Sequence, residues 1–556
     1  MNPETRACRD CKENFTVEAE DFAFYDKMQA PAPTLCPECR FKRRALFRNE
    51  MNLYTNRSCG LCSKKVISVF APNSPYIIYC QECFDGDKWD PYSYAQDYDP
   101  ARPFFEQFGE LMRQVPKRNL GNTVSLGPNV NSDYTNVASS NKNCYLIFNS
   151  SLCEDSMYSR GMKNNRDAVD IYFGVGIERC YEGVNVNESN GVVFGQNVVG
   201  SLDSIFLRDS SGCQNCFGGV NLRNKSYVFF DEQLSKEEYE KRTSEIRGSY
   251  AKMKEAREKF EEFSLQFPRR ANSNIKTVNS TGDYLFQGKN LHNCFEITDG
   301  EDTKYAFSSK NIKDSYDTMG YGYNSELLLD CCATGLSSRI IGSYWAENCS
   351  DVQYSYFVRK CQNVVGCDAI KNGTYCILNK KYTEAEYKEL QEKIRAELVK
   401  AGEYGMFMPP ALAPFSYNET IGQDNFPMTK EAALAAGYRW QDDMQVTKGK
   451  ETLQPEQIPD HIKDVPDTII QERLRCISCE RNYIITPAEL KFYRTMILPI
   501  PRPCFYCRHQ DRIKRRGPMR IFDRICAKCS TEIKTTYAPE RPEIVYCESC
   551  YQKEVL

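Results

Sequence analysis

Sixteen of the 28 cysteines in this 556-residue chain fall into eight Cys-x2-Cys pairs, and the pairs form the same two-part cassette near each end. Near the N-terminus, Cys8/Cys11 and Cys36/Cys39 are followed by Cys59/Cys62 and Cys80/Cys83. Near the C-terminus, Cys476/Cys479 and Cys504/Cys507 are followed by Cys526/Cys529 and Cys547/Cys550. The gap inside the first half of the cassette is 24 residues in both copies, and inside the second half it is 17 in both. A Cys-x2-Cys knuckle presents two thiolates from one tight turn. Two knuckles together make a tetrahedral four-sulfur site that suits zinc. With no spare His or carboxylate ligand such sites look closed, so the expectation is four structural Zn2+ ions; an iron–sulfur or redox role is the alternative.

The cassettes agree beyond their cysteines. Phe22, Phe24 and Tyr25 precede Pro31 and Pro33 in the first, as Leu490, Phe492 and Tyr493 precede Pro499 and Pro501 in the second. Tyr79-Cys80-Gln81-Glu82-Cys83 likewise matches Tyr546-Cys547-Glu548-Ser549-Cys550. Each first ribbon ends in a basic run. Arg40, Lys42, Arg43, Arg44 and Arg48 follow Cys39, and Arg508, Arg512, Lys514, Arg515 and Arg516 follow Cys507. These patches stand out because the whole chain carries a net charge of only -3, which gives no global pull towards nucleic acid. Held by zinc, Arg40, Lys42, Arg43, Arg44, Arg508, Arg512, Lys514, Arg515 and Arg516 are candidate phosphate contacts, with nearby Phe side chains available to stack on bases. The competing reading is a solvated, charged face between two ribbons, or a helix paired with acidic neighbours.

The opening residues carry no apolar signal segment and no stretch of 18 apolar residues exists, so neither export nor a membrane span is expected. A cysteine-rich chain of this kind belongs in a reducing, cytoplasmic compartment, where regular Cys-x2-Cys spacing means metal rather than disulfides.

Between the cassettes the composition shifts to Asn, Ser, Gly, Asp and short β-forming bursts. Residues 144, 156, 168, 180, 191, 204 and 216 mark a step near 12, and a second series runs from Tyr284 to Leu378. This spacing predicts a parallel β-solenoid of one or two periods per coil, with Cys, Val, Ile and Phe inward and Asn and Gly at corners. A β-sandwich or propeller is the competing fold. The series end alike at an offset of 148 residues, where Cys213-Gln214-Asn215 matches Cys361-Gln362-Asn363. Each then enters a helix through Ser235/Glu238 or Thr383/Glu386. The first helix carries Tyr239, Ile246, Met253, Phe260 and Phe267 at seven-residue steps. The twelve unpaired cysteines lie in this body and read as buried thiols.

The expected class is therefore mainly β and multidomain: two tandem zinc-ribbon pairs flanking a duplicated parallel β-solenoid with helical caps. The expected segments are 1–90, the N-terminal ribbon pair; 91–120, a linker and amphipathic helix built on Phe104, Phe105, Phe108, Leu111, Met112 and Val115; 121–268 and 269–402, the two solenoid modules with terminal helices; 403–470, an extended packing segment and a polar linker; and 471–556, the C-terminal ribbon pair.

No nucleotide loop, nucleophile elbow or His-based metal motif is present, and only three histidines exist, His292, His461 and His509. Asp167, Asp170, Arg179 and Arg208 could form a polysaccharide-cleaving face, but read more simply as solvent-facing charges. No enzyme is expected.

Several motifs resemble a family of zinc-ribbon repeat proteins of environmental bacterial genomes that carry the label "caib/baif family protein". They are Cys36-Pro37-Glu38-Cys39-Arg40, Arg102-Pro103-Phe104-Phe105-Glu106-Gln107-Phe108, Asn143-Cys144-Tyr145-Leu146-Ile147-Phe148, Val220-Asn221-Leu222-Arg223-Asn224-Lys225, Pro409-Pro410-Ala411-Leu412 and Tyr537-Ala538-Pro539-Glu540-Arg541-Pro542. The likeness covers nearly the whole chain and implies zinc binding. The label names a CoA transferase, whose chemistry no residue pattern here carries. The chain departs from that family's cysteine-denser repeats at Gly219, where the second copy has Cys367. The functional expectation is a zinc-binding, non-enzymatic scaffold. Two partner classes stay open: nucleic acid or ribonucleoprotein through the basic ribbon edges, and protein through the solenoid face. The sequence sets no oligomeric state.

Overall fold

The computed structural model describes residues 2–123 and 126–555. It divides into two compact units: Met1–Leu120, Asn272–Asp442 and Met519–Ile521 in one, Gly121–Ala271, Asp443–Pro518 and Phe522–Leu556 in the other. Each unit joins a ribbon pair to a β-rich body that is not its nearest neighbour in sequence. The N-terminal ribbons belong with the second β body, and the C-terminal ribbons with the first.

In the second unit the β body is built from parallel pairing at a constant register. Tyr145 faces Met157, Met157 faces Val169, Val169 faces Tyr181, and the same column continues through Val193, Ile205, Phe217 and Phe229. The chain thus returns beneath itself every 12 residues. The backbone shows how. Asn143, Leu146, Asn149, Leu152 and Asp155 all have φ between 48 and 57°, so a left-handed residue turns the chain at every third position. Many of these corners are Asn or Asp, which tolerate that region best. Leu146, Tyr158 and Glu182 adopt it too, so the corners are not confined to the Asn and Gly expected there.

The first unit repeats the pattern through Phe295, Phe307, Met319, Cys332, Tyr344, Tyr356 and Asp368, with one step of 13 between Met319 and Cys332. At its start the strands Gly282–His292, Cys294–Thr298, Phe307–Lys310, Ile312–Tyr321 and Glu301–Lys304 pair in a closed parallel ring. Each body has its own apolar interior: Ile147, Ile171, Val186, Val198 and Leu207 in one, Leu285, Ile297, Leu328, Ile340 and Val352 in the other.

Among the described residues, twelve α-helices decorate this mostly β structure. Phe104–Gln114 forms where the apolar face was expected, starting after Pro103, with Phe104 and Phe105 against Tyr354. Thr383 and Glu386 make a reciprocal capping box on the helix Glu384–Lys400. The helix expected over 236–267 is instead two, Lys236–Ile246 and Tyr250–Ser264. The break falls at Gly248, which has φ +82° and lies so close to His461 that a Cβ would sit 2.6 Å from its ring. The polar stretch expected as a linker is docked on the second unit, with Ile458, Ile462, Val465 and Ile469 all buried.

Candidate metal centres and the helices they anchor

All four cysteine tetrads assemble. In each, the four Sγ atoms lie within 4.8 Å of one another. Sulfurs from opposing knuckles stand 3.7 Å apart for Cys11 and Cys36, 3.9 Å for Cys62 and Cys80, 3.6 Å for Cys479 and Cys504, and 3.7 Å for Cys529 and Cys547. A tetrahedron with bonds of about 2.3 Å needs sulfurs about 3.8 Å apart, so the donor sets fit a zinc-sized ion without rearrangement.

The same local chemistry builds each tetrad. The residue after the second cysteine, Lys12, Ser63, Glu480 or Ser530, has positive φ, and its N–H closes on the carbonyl of the first cysteine. The first sulfur also accepts a backbone N–H from the third cysteine: Cys36 to Cys8 at 3.3 Å, Cys80 to Cys59 at 3.3 Å, Cys504 to Cys476 at 3.1 Å and Cys547 to Cys526 at 3.2 Å. The third cysteine precedes a helix in each case: Pro37–Ala45, Gln81–Asp85, Phe505–Arg516 and Glu548–Val555. Oriented N–H groups favour the thiolate, the form that binds metal. Hydrogen bonds, the largest from Cys39, hold Cys36 down at about 5. The Thr531 hydroxyl and N–H hold Cys529 at about 6.

The basic runs sit on two of these helices, Pro37–Ala45 and Phe505–Arg516, and their placement corrects the expected phosphate-contacting edge. Arg40, Arg43, Arg44, Arg508, Arg512 and Arg516 are buried, and among the nine candidates only Lys514 is exposed. In the first unit Arg40 Nε meets Asp317 at 2.9 Å, and Arg44 bridges Asp317 and Asp330. In the second unit Arg508 Nε meets Asp170 at 2.7 Å, and Arg512 bridges Asp170 at 2.9 Å and Glu182 at 3.3 Å. Arginines four apart share a helix face, and in both units that face lies on two carboxylates from consecutive turns of the β body. Arg43 pairs with Glu403, Arg515 with Glu182 at 2.7 Å, and Lys42 with Glu38 at 2.8 Å, while Arg516 donates to the Tyr172 hydroxyl at 2.9 Å. The basic residues are internal clamps because a guanidinium buried without a carboxylate would carry a large desolvation cost.

The acceptors were not singled out from the sequence, although a signal existed. Asp170 and Glu182 interrupt a mostly apolar register column that also holds Leu146, Tyr158, Phe194 and Phe206, and acidic residues recur in the second copy at Asp317 and Asp330. Asp170 was expected among solvent-facing charges, and it is fully buried. Of its imagined companions, Arg179 is exposed, and Arg208 pairs with Glu261 at 2.9 Å. They form no shared carboxylate site.

The twelve unpaired cysteines are all buried, and they do more than fill space. Along each body an inward N–H is received by a Ser or Cys side chain 12 residues earlier: Cys144 to Ser132, Cys216 to Ser204, Cys349 to Ser337, Cys361 to Cys349 Sγ and Asn379 to Cys367 Sγ. Cys367 Sγ in turn donates to the Val365 carbonyl at 3.6 Å. Corner N–H groups facing the core would otherwise be orphaned, so Cys interchanges with Ser here as a small hydrogen-bonding residue.

No helix among the described residues is long and apolar enough to cross a membrane. No family model matches this chain and no curated protein matches it. Among solved structures, the chain aligns with a candidate acetyltransferase from Desulfovibrio desulfuricans G20 at 10% identity, over 50% of this chain and 81% of that one, with a TM-score of 0.09. A likeness that slight carries no argument.

Proposed function

We propose that this chain is a non-catalytic binding scaffold in which four structural zinc ions hold ribbon pairs onto two β-solenoids of 12 residues per coil, and that it acts by engaging other proteins. The observation that carries this reading is the double burial of the basic helices. Arg40 and Arg44 in one unit, and Arg508 and Arg512 in the other, are consumed by carboxylates of the β body. The metal sites then serve to fix the start of each clamping helix, which is a structural task. Closed four-thiolate sites with no open ligand position also argue against metal catalysis. Nothing in this arrangement leaves the arginine rows free for phosphate.

The test is to measure metal content by mass spectrometry and to titrate the purified protein with mixed RNA and duplex DNA at low and high salt. Four zinc ions per chain and no saturable binding at low salt support the scaffold reading. Tight RNA or DNA binding that collapses with salt, and is lost in a Lys42→Glu/Lys514→Glu variant, would overturn it in favour of nucleic-acid recognition.

A further inference from the structure

The two units differ at one matched place, where the second is filled and the first holds a cavity. In the second unit the Phe505 ring packs on Tyr158 at 5.3 Å and on Phe148 at 6.3 Å between centroids. The Tyr506 ring lies beside it at 5.1 Å. The Arg481 guanidinium stands over the Tyr506 ring, 5.2 Å from its centroid. That unit thus supplies two rings and a cation from its own ribbon.

The ribbon offset of 468 residues, which separates Cys36 from Cys504, sets Pro37, Glu38 and Glu13 of the first unit opposite Phe505, Tyr506 and Arg481. Ahead of the 13-residue step the body offset is 147, the separation of Asp170 from Asp317, and it sets Phe295 and Tyr305 opposite Phe148 and Tyr158. The packing agrees with this match: Arg40 lies 5.3 Å over the Tyr305 ring as Arg508 lies 5.2 Å over the Tyr158 ring. The first unit therefore keeps the receiving rings. It lacks the two rings that cover them, and a carboxylate stands in place of the cation. A cavity of about 660 Å³ opens there, lined by Phe41, Phe295, Tyr305, Phe307 and Phe426. Met519 and Ile521 also form its wall, and the volume is what they leave free. All of these residues belong to the first unit.

We propose that this cavity binds a small organic cation that carries an aromatic ring. The ring takes the place that Phe505 and Tyr506 fill in the second unit, and the positive charge replaces that of Arg481. The volume lies within the range of ordinary ligand sites. The charges on its lining select the sign. Glu38 is matched by Lys42 and Arg520, and Arg44 by Asp317 and Asp330. Glu13 and Glu18 stand exposed on the same lining, with no such partner among the described residues. Ring faces and unmatched carboxylates together favour a cation over an anion. The inference goes beyond the scaffold reading, which makes no use of this cavity.

The probe is benzyltrimethylammonium, titrated into the zinc-loaded full chain and read by calorimetry, with neutral benzyl alcohol and anionic benzenesulfonate as comparators. Saturable binding of the cation with a Kd of about 1 mM or tighter is expected for a ligand of this size. Each comparator should bind at least about threefold more weakly. Pro37→Phe restores the ring that the second unit carries and should weaken binding about tenfold or more. Thr16→Trp places bulk at an exposed lining position whose counterpart is Ile484, away from the metal knuckle, and should do the same. Glu13→Gln should weaken the cation about threefold and leave benzyl alcohol unchanged. Zinc retention measured on the same samples separates occlusion from unfolding, and Thr16→Trp decides the matter where Pro37→Phe loses zinc. Absent binding of the cation overturns the proposal. So does binding that none of the three substitutions weakens, and so does benzenesulfonate binding as tightly as the cation. The nucleic-acid titrations that test the scaffold reading have their own readout, so its failure is distinguishable from failure of this site.

Discussion

Arg512 and Asp170 meet at 2.9 Å with neither side chain exposed, and the two residues are 342 positions apart in the chain. The same relationship recurs between Arg44 and Asp317, both buried, in the other unit. Removing one partner of a buried pair leaves the other charge uncompensated, which costs about 3–5 kcal/mol. Arg512→Met should therefore lower the stability of the second unit by that amount in denaturant titration of the full chain. Arg512→Lys should recover only part of it, because one ammonium cannot span Asp170 and Glu182 together as the guanidinium fork does. A loss under 1 kcal/mol for Arg512→Met would show that the clamp is energetically idle.

The metal sites predict a stepwise outcome. Each tetrad is complete within its own ribbon, so Cys39→Ser should remove one zinc per chain and leave three, read by metal analysis. Structural zinc contributes roughly 10 kcal/mol or more to small ribbon folds. Loss of the first site should therefore free the helix Pro37–Ala45 and expose its buried Arg40 and Arg44. Hydrogen exchange should rise across 36–45 while the second unit, which holds the other cassette, stays protected. Exchange spreading equally through both units would contradict independent sites.

The unpaired cysteines make a sharper distinction than metal analysis can. Cys367 accepts the Asn379 N–H at 3.3 Å and donates to Val365. Cys367→Ser keeps both hydrogen bonds and should cost less than about 1 kcal/mol. Cys367→Val fills the space but orphans a buried N–H, for which about 1–3 kcal/mol is expected. Chemical denaturation of the two variants compares them directly. Equal stability would reduce Cys367 to a packing residue.

The cysteine tetrads, the 12-residue step, the helix Phe104–Gln114 and the capping at Thr383 were all legible, because each rests on residues close together in sequence. The role of the arginines was legible only as an alternative, a helix paired with acidic neighbours, with the partners unnamed. Arg44 and Arg512 look alike whether they face phosphate or carboxylate, and the deciding partners, Asp330 and Glu182, lie hundreds of residues away. The break at Gly248 was hidden for a related reason. The heptad of Tyr239, Ile246, Met253 and Phe260 continues straight across it, while its cause, the ring of His461, comes from a distant segment. Local pattern specified the elements here, and long-range charge pairing and close packing decided what they face.

The pair Lys117 and Asp368 supplies a test by pH. Both side chains are buried, and the ammonium also lies over the rings of Tyr76 and Tyr356. Burial outweighs their mutual attraction on both sides: it pushes Lys117 down and Asp368 up, to about 6 from an ordinary 3.8. A carboxyl whose folded value is raised binds its proton more tightly in the folded state than in the unfolded one. Its contribution to stability is thus fully present below pH 3.8 and is lost as pH rises through about 6. A shift of this size corresponds to about 3 kcal/mol. Asp368→Asn removes the titration, so the difference in unfolding free energy between wild type and variant should change by up to that amount between pH 4 and pH 7, with the wild type losing ground as pH rises. Other carboxylates titrate in the same window, but they contribute equally to both proteins and cancel in the difference. A difference that is flat across the window would mean that Asp368 is already ionised at pH 4, and that the attraction of Lys117 outweighs its burial.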